Sequence, residues 1–275
     1  NSPSPAAILI ILLLAAVASP LHLNKVSPIA PYLMDTFAIG ETQLSLLISV
    51  LPLTGIALAL PGGMLIRRFG PWRCMLAALV ALLAGSAAGA LTGSFLLLVV
   101  SRVVEGVGMA LIAVAGPSII GETSRPDTRG FAMGVFASYM GVGQVIAFNL
   151  APRVLPLGGW RAVWWIASAY TVAFIAVWLL LMLRLRANRR AAMHDLVQSA
   201  PSAQTGPAWK SKAVWLLAAA VGLYIVSYVS IQTFLPSYLA KARGMALADA
   251  ASLVSVCCLM GTVSSLLAGT LSDRT

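Results

Sequence analysis

The sequence predicts an all-α polytopic membrane protein, a six-helix bundle followed by the first two helices of a second bundle. Three observations carry that reading. Of the 275 residues, 60% are hydrophobic and only 9% charged, a balance that excludes an ordinary soluble domain. The apolar residues gather in runs long enough to cross a bilayer, which takes about 20 of them. A phrase beginning Gly63-Met64-Leu65-Ile66-Arg67-Arg68 also returns as Gly269-Thr270-Leu271-Ser272-Asp273-Arg274. Six crossings with short loops fill the distance between the two copies, which points to a duplicated unit.

In chain order the spans are expected at 6–34, 44–66, 73–92, 94–120, 130–151, 162–183, 212–237 and 247–268. The first is long and holds Pro20, Pro28 and Pro31, so its far end is expected to bend or unwind. It lacks a basic leader and runs too long for a cleavable signal. The third and fourth carry Gly85-Ser86-Ala87-Ala88-Gly89 and Gly106-Val107-Gly108, small residues that let helix backbones approach closely in lipid. After the sixth span, residues 184–211 begin basic and continue rich in Ser, Pro, Ala and Gln, as a partly flexible connector does. Residues 1–183 then form the first bundle, 184–211 a cytoplasmic connector, and 212–275 the first two helices of the second. Two helices do not close a core, so four further spans are expected beyond Thr275. By itself the chain is not expected to transport anything.

The net charge of +10 is an orientation signal rather than a nucleic-acid footprint. Arg67, Arg68 and Arg73 lie between spans two and three, Arg125 and Arg129 between four and five. Arg184, Arg186, Arg189, Arg190, Lys210 and Lys212 lie between six and seven. The alternate loops hold fewer cations and the acidic Asp35, Glu41 and Asp249. Basic loops stay in the cytoplasm, which places the N-terminus there. The partners expected are the lipid bilayer, a small molecule and protons, with no nucleic acid and a monomeric state.

Catalytic signatures are missing. There is no Walker A sequence, zinc-type His pair, Gly-x-Ser-x-Gly or paired Asp cluster, so no enzyme, cofactor or metal is expected. Cys74, Cys257 and Cys258 are too few and wrongly spaced for a disulfide framework and read as small apolar residues.

Charges inside the spans are expensive and mark function by default. Arg102 lies well inside the fourth span, with Glu105 three residues on and on the same helix face, so the two can pair. A structural ion pair is the other reading of these residues. Lys25 stands in His22-Leu23-Asn24-Lys25-Val26-Ser27-Pro28, where prolines free backbone groups that a cavity must satisfy. Lys25 with Asn24 and His22 can bind a small anion through charge and directed hydrogen bonds; the other reading is a Lys that snorkels to the interface. Trp160, Trp164, Trp165 and Trp209 near span ends are expected in the aromatic belt.

Four places resemble the major facilitator superfamily, in order and over the whole chain. Gly63-x-Leu65-x-x-Arg68-Phe69-Gly70-x-x-Arg73 resembles its signature between the second and third helices, and Gly269, Asp273 and Arg274 the second copy. Arg102-x-x-Glu105-Gly106-x-Gly108 resembles the fourth-helix pattern, Glu122 to Gly130 with Gly134 the loop into the fifth, and Gly159-Trp160-Arg161 the entry to the sixth. The Asn-x-x-Ser-Pro stretch from Asn24 resembles its cyanate/nitrate-type branch. Arg67 stands where the family has Asp, which puts the cytoplasmic latch of that half in doubt, whereas Asp273 keeps it. The resemblance implies a secondary transporter of a bacterial-type inner membrane that works by alternating access. It also implies a gate or proton-relay role for Arg102, tight turns at the glycine signatures, and a cavity bordered by the first, fourth, fifth, seventh and eighth helices. Gln144 on the fifth and Tyr228 and Gln232 on the seventh are then candidate lining groups. The favoured substrate is a small anion, proton-coupled through Glu105; the alternatives are proton-coupled efflux of hydrophobic drugs, or a transporter-like sensor that moves nothing.

Overall fold

The computed structural model describes residues 4–192 and 212–246, with residues 249, 250, 252–254, 256, 260 and 264 beyond them. The chain is an all-α polytopic membrane protein. The first span, Pro5–Phe37, is interrupted along its length. Helix α1 (Pro5–Ala16) starts at Ser4, whose hydroxyl accepts from the Ala7 amide, and α2 (Ala18–Asn24) follows after Val17. A short 3₁₀ turn, Ser27–Ile29, leads into α3 (Ala30–Phe37). The break falls among the three prolines, because each removes an amide donor and fixes φ.

Helix α4 (Glu41–Phe69) returns across the membrane and continues past Gly62 and Gly63 without turning. The turn comes at Gly70, whose φ of +82° favours a residue without Cβ, and Pro71 opens α5 (Pro71–Leu91). Of the glycines in the Gly63–Gly70 signature, Gly70 makes the tight turn and Gly63 lies within α4. Helix α6 (Phe95–Thr123) lies between α4 and α5. Its glycines allow this, since a Cβ on Gly106 would sit 2.7 Å from the Leu51 carbonyl oxygen and one on Gly108 2.6 Å from that of Ala78.

Helix α7 (Arg129–Ala137) leads to α8 (Tyr139–Ala192), 54 residues long. A straight helix of that length would run about 80 Å, far beyond a bilayer. At Gly158 and Gly159 the backbone leaves helical geometry, and Ala147 packs in one cluster with Ala167, so the two limbs fold back as a hairpin. These are the expected fifth and sixth spans. Helix α9 (Lys212–Arg243) is the seventh. Most of the expected eighth span and of the connector lies outside the described residues, as do Gly269, Asp273, Arg274, Trp209, Cys257 and Cys258.

Two large apolar cores stand out among the described residues. One, with Leu12, Leu79, Ile112 and Phe136, lies toward the face that bears the α4–α5 turn; the other, with Ile29, Leu33, Leu47 and Leu98, lies toward the α3–α4 turn. Cys74 packs into the first as a buried apolar residue. Trp160 and Trp164 belong to the second and Trp178 to the first, all three buried. Trp160 and Trp164 are thus core residues rather than belt residues: after the Gly158–Gly159 turn Trp160 meets Phe37 of the first span, and Trp164 meets Lys25 of the first span and Gly89 of α5. Trp165, next in line, is 46% exposed.

A buried ionic layer as candidate functional site

Between the two cores lies a polar layer. His22, Lys25, Ser86, Arg102, Glu105 and Thr171 come from the first span, α5, α6 and α8, and none is more than 1% exposed. Helix phase brings them together: on α6, Leu98 belongs to one core and Ile112 to the other, and Arg102 and Glu105 lie between them on one face.

Glu105 is the hub. Its Oε1 accepts from Lys25 Nζ at 2.6 Å, and its Oε2 from Arg102 Nη1. Arg102 makes two further bonds, Nη1 to the His22 carbonyl at 2.6 Å and Nη2 to that of Leu23 at 3.1 Å. Those carbonyls are free because α2 ends at Asn24, and the last carbonyls of a helix have no partner within it. The guanidinium therefore caps α2, a favourable place for a cation. The backbone groups freed near the prolines are satisfied by a protein side chain.

Lys25 uses all three donors. Besides Glu105 it donates to Ser86 Oγ at 3.0 Å and approaches His22 Nδ1 at 3.2 Å, and its Nζ stands 4.4 Å from the Trp164 ring centre. Lys25 does not snorkel to an interface. Its side chain also lines a narrow, otherwise apolar cleft with Leu21, Ala147, Ala151, Val154 and Val163. With His22 neutral and both Lys25 and Arg102 protonated, two positive charges face the one carboxylate.

The other predicted candidates lie elsewhere. Asn24 turns back on its own helix, its amide donating to the Pro20 carbonyl at 2.9 Å. Gln144 is buried at a seam between the fifth span and α9, where Tyr228 donates to its Oε1 at 3.1 Å. The seam continues with Ser252 donating to Asn149 Oδ1 at 2.9 Å and Phe148 packed with Val254, Leu235 and Leu239. The side chain of Gln232 is outside the described residues. Arg67, Arg68 and Arg73 are exposed around the α4–α5 turn; Arg68 sits 5.4 Å from the Phe69 ring centre. Sequence reasoning missed Ser86, Thr171 and Trp164 as partners of the charges. The signal for them was the need itself: a buried ammonium requires three acceptors, and hydroxyls in neighbouring spans can supply them.

The sequence description of the Major Facilitator Superfamily matches residues 8–275. The probable sulfoacetate transporter of Cupriavidus necator is 24% identical over 91% of the chain and 60% of that protein. The hexuronate transporter of Bacillus subtilis is 21% identical over 97% and 64%, and the 2-nitroimidazole transporter of Escherichia coli 26% identical over 82% and 56%. The chain thus spans about 60% of the length of these relatives. In fold it matches a bacterial homologue of the human lysosomal transporter Spinster, inward-facing and unoccupied, with a TM-score of 0.74 at 19% identity, over 100% of this chain and 64% of that one. The D-xylose-proton symporter matches with a TM-score of 0.64 at 16% identity, over 97% and 69%. The family and these relatives are transporters, not enzymes. The chain is a multi-pass membrane protein that belongs to the major facilitator superfamily.

Proposed function

We propose that the protein is a secondary transporter that carries a small anion by alternating access, with Lys25 and Arg102 receiving the anion and Glu105 coupling it to a proton. One observation carries the reading: a fully buried layer in which two cations share a single carboxylate. Uncompensated charge in a membrane interior is costly, and an incoming anion removes that cost. In the described state Glu105 occupies both cations and competes with a substrate. When Glu105 takes up a proton, its hold on Lys25 and Arg102 weakens and the positive excess grows. Proton and anion are then drawn in together, and loss of the proton returns Glu105 to the cations and expels the anion. The names of two relatives support the anion, since sulfoacetate and hexuronate are both organic acids. The loop charges support an inner-membrane protein with its N-terminus in the cytoplasm.

A second reading, proton-coupled efflux of uncharged or hydrophobic compounds, is favoured by the relative named for 2-nitroimidazole. The two separate at Lys25. Full-length protein in proteoliposomes is tested for uptake of labelled sulfoacetate and glucuronate, with and without an inward proton gradient. Lys25→Gln leaves Arg102 and Glu105 balanced and so keeps the fold. It is expected to cut uptake at low anion concentration at least tenfold, the effect of losing one charge-assisted hydrogen bond of roughly 1.5–3 kcal/mol. Undiminished anion uptake by a folded Lys25→Gln protein sinks the proposal, and efflux of 2-nitroimidazole that survives the substitution moves the reading to the second.

A further inference from the structure

We propose that Thr171 and Ser86 are positioning residues: they fix His22 as the Nε2–H tautomer and keep the Lys25 ammonium seated when Glu105 releases it. The proposal rests on the reading of Lys25 as the group that receives the anion.

The donors and acceptors assign the tautomer. Thr171 Oγ donates to the Ala167 carbonyl at 2.9 Å, so the hydroxyl hydrogen is committed and a lone pair remains for His22 Nε2, also 2.9 Å away. His22 Nε2 therefore carries the hydrogen and Nδ1 is bare. An ammonium has donors only, and its approach to Nδ1 at 3.2 Å is favourable only toward a bare nitrogen. Ser86 repeats the device, donating to the Trp164 carbonyl at 3.0 Å and accepting from Lys25 Nζ at 3.0 Å. Two carbonyls of α8 thus hold Lys25, that of Trp164 through Ser86 and that of Ala167 through Thr171 and His22.

The consequence appears when Glu105 lets go. Lys25 keeps two of its three bonds, and Arg102 keeps the His22 and Leu23 carbonyls. Both cations stay where the carboxylate left them, and the incoming anion meets a preorganised pair. The opposite tautomer reverses this. An Nδ1–H would point at the ammonium, and Glu105 Oε1 is only 3.5 Å from Nδ1, so the ring would take that oxygen and drive Lys25 away. Among the described residues the charged groups facing His22 are Lys25 on its own span and Arg102 and Glu105 on α6; α5 presents Ser86 and α8 Thr171.

The test is nitrogen NMR of full-length protein labelled at the histidine rings, with the His22 signals assigned by their absence from a His22→Gln variant. The wild type is expected to show a protonated Nε2 and a bare Nδ1 at neutral pH. Thr171→Val, which keeps the shape and removes the acceptor, is expected to shift His22 toward Nδ1–H, and Thr171→Ser to restore it. In proteoliposomes Thr171→Val is expected to raise KM for the anion roughly fivefold to tenfold, the loss of one buried hydrogen bond, with kcat little changed and Thr171→Ser near wild type. A wild-type ring protonated at Nδ1, or a Thr171→Val ring identical to wild type, overturns the proposal. If Thr171→Val does not fold, the wild-type spectrum decides by itself. Absence of anion transport in the wild type defeats the functional reading instead, and the ring spectra tell the two failures apart.

Discussion

Replacing Glu105 by Leu is expected to be the most damaging single change in the ionic layer, costing about 3–5 kcal/mol, as removal of one partner from a buried ion pair does. The physical reason is charge count. Lys25 and Arg102 would face each other at 0–1% exposure with no counter-charge, and Oε1 and Oε2 would vanish as acceptors of two bonds. Arg102→Leu is expected to cost less, because Lys25 and Glu105 then balance and the loss falls on the His22 and Leu23 carbonyls, at about 1–3 kcal/mol for an unsatisfied buried group. Lys25→Gln should cost least of the three. Thermal unfolding of the detergent-solubilised proteins reads this order directly. If Glu105→Leu proved as stable as Lys25→Gln, the carboxylate would not be the hub and the account of the layer would be wrong. Glu105→Gln, a neutral mimic of the protonated state, is expected to gain stability from added substrate anion where the wild type gains little.

Gly85→Ala is expected to damage the same layer by packing alone. A Cβ there would lie 2.7 Å from the Ser101 carbonyl oxygen and 2.8 Å from the Glu105 amide nitrogen. Backbone cannot move aside as a flexible side chain can, so α5 and α6 must separate. Overpacking of this kind costs about 1–3 kcal/mol, and here it displaces Glu105 as well. Gly63→Ala and Gly121→Ala are the controls, since a Cβ at either meets nothing within 4 Å; each is expected to leave stability within about 1 kcal/mol of wild type. Unfolding temperatures of the three variants check this: a Gly85→Ala protein as stable as the two controls would show that the helices do not pack as closely as described.

The fold was readable because bilayer thickness sets span length and leaves little freedom in how apolar runs are arranged. Within the 54-residue α8 the kink at Gly158 and Gly159 falls in the break between the expected spans 130–151 and 162–183. The pairing of Arg102 with Glu105 was also visible, because helix phase is a local property. Its extension to Lys25 was not: the residues lie 80 positions apart, and no local pattern encodes which spans are neighbours. The tryptophans failed for a related reason. Position near a span end suggests an interface, yet at Trp164 the neighbouring Lys25 and the small Gly89, over which the indole nitrogen lies, determine that the ring turns inward. Within the Gly63–Gly70 signature the positive φ that favours glycine occurs at Gly70, between the two helices.

The guanidinium cap on α2 has a mechanical consequence. Arg102 belongs covalently to α6 but is bonded to the carbonyls of the first span, so it acts as a rivet through two helices. Separating them means breaking charge-assisted bonds in a dry layer. The seam toward α9 and the residues beyond it is held differently, by neutral pairs such as Tyr228–Gln144 and Ser252–Asn149, each worth only about 0.5–1.5 kcal/mol. Under load, the seam is therefore the joint expected to yield first, while the riveted helices travel together and carry their charges with them.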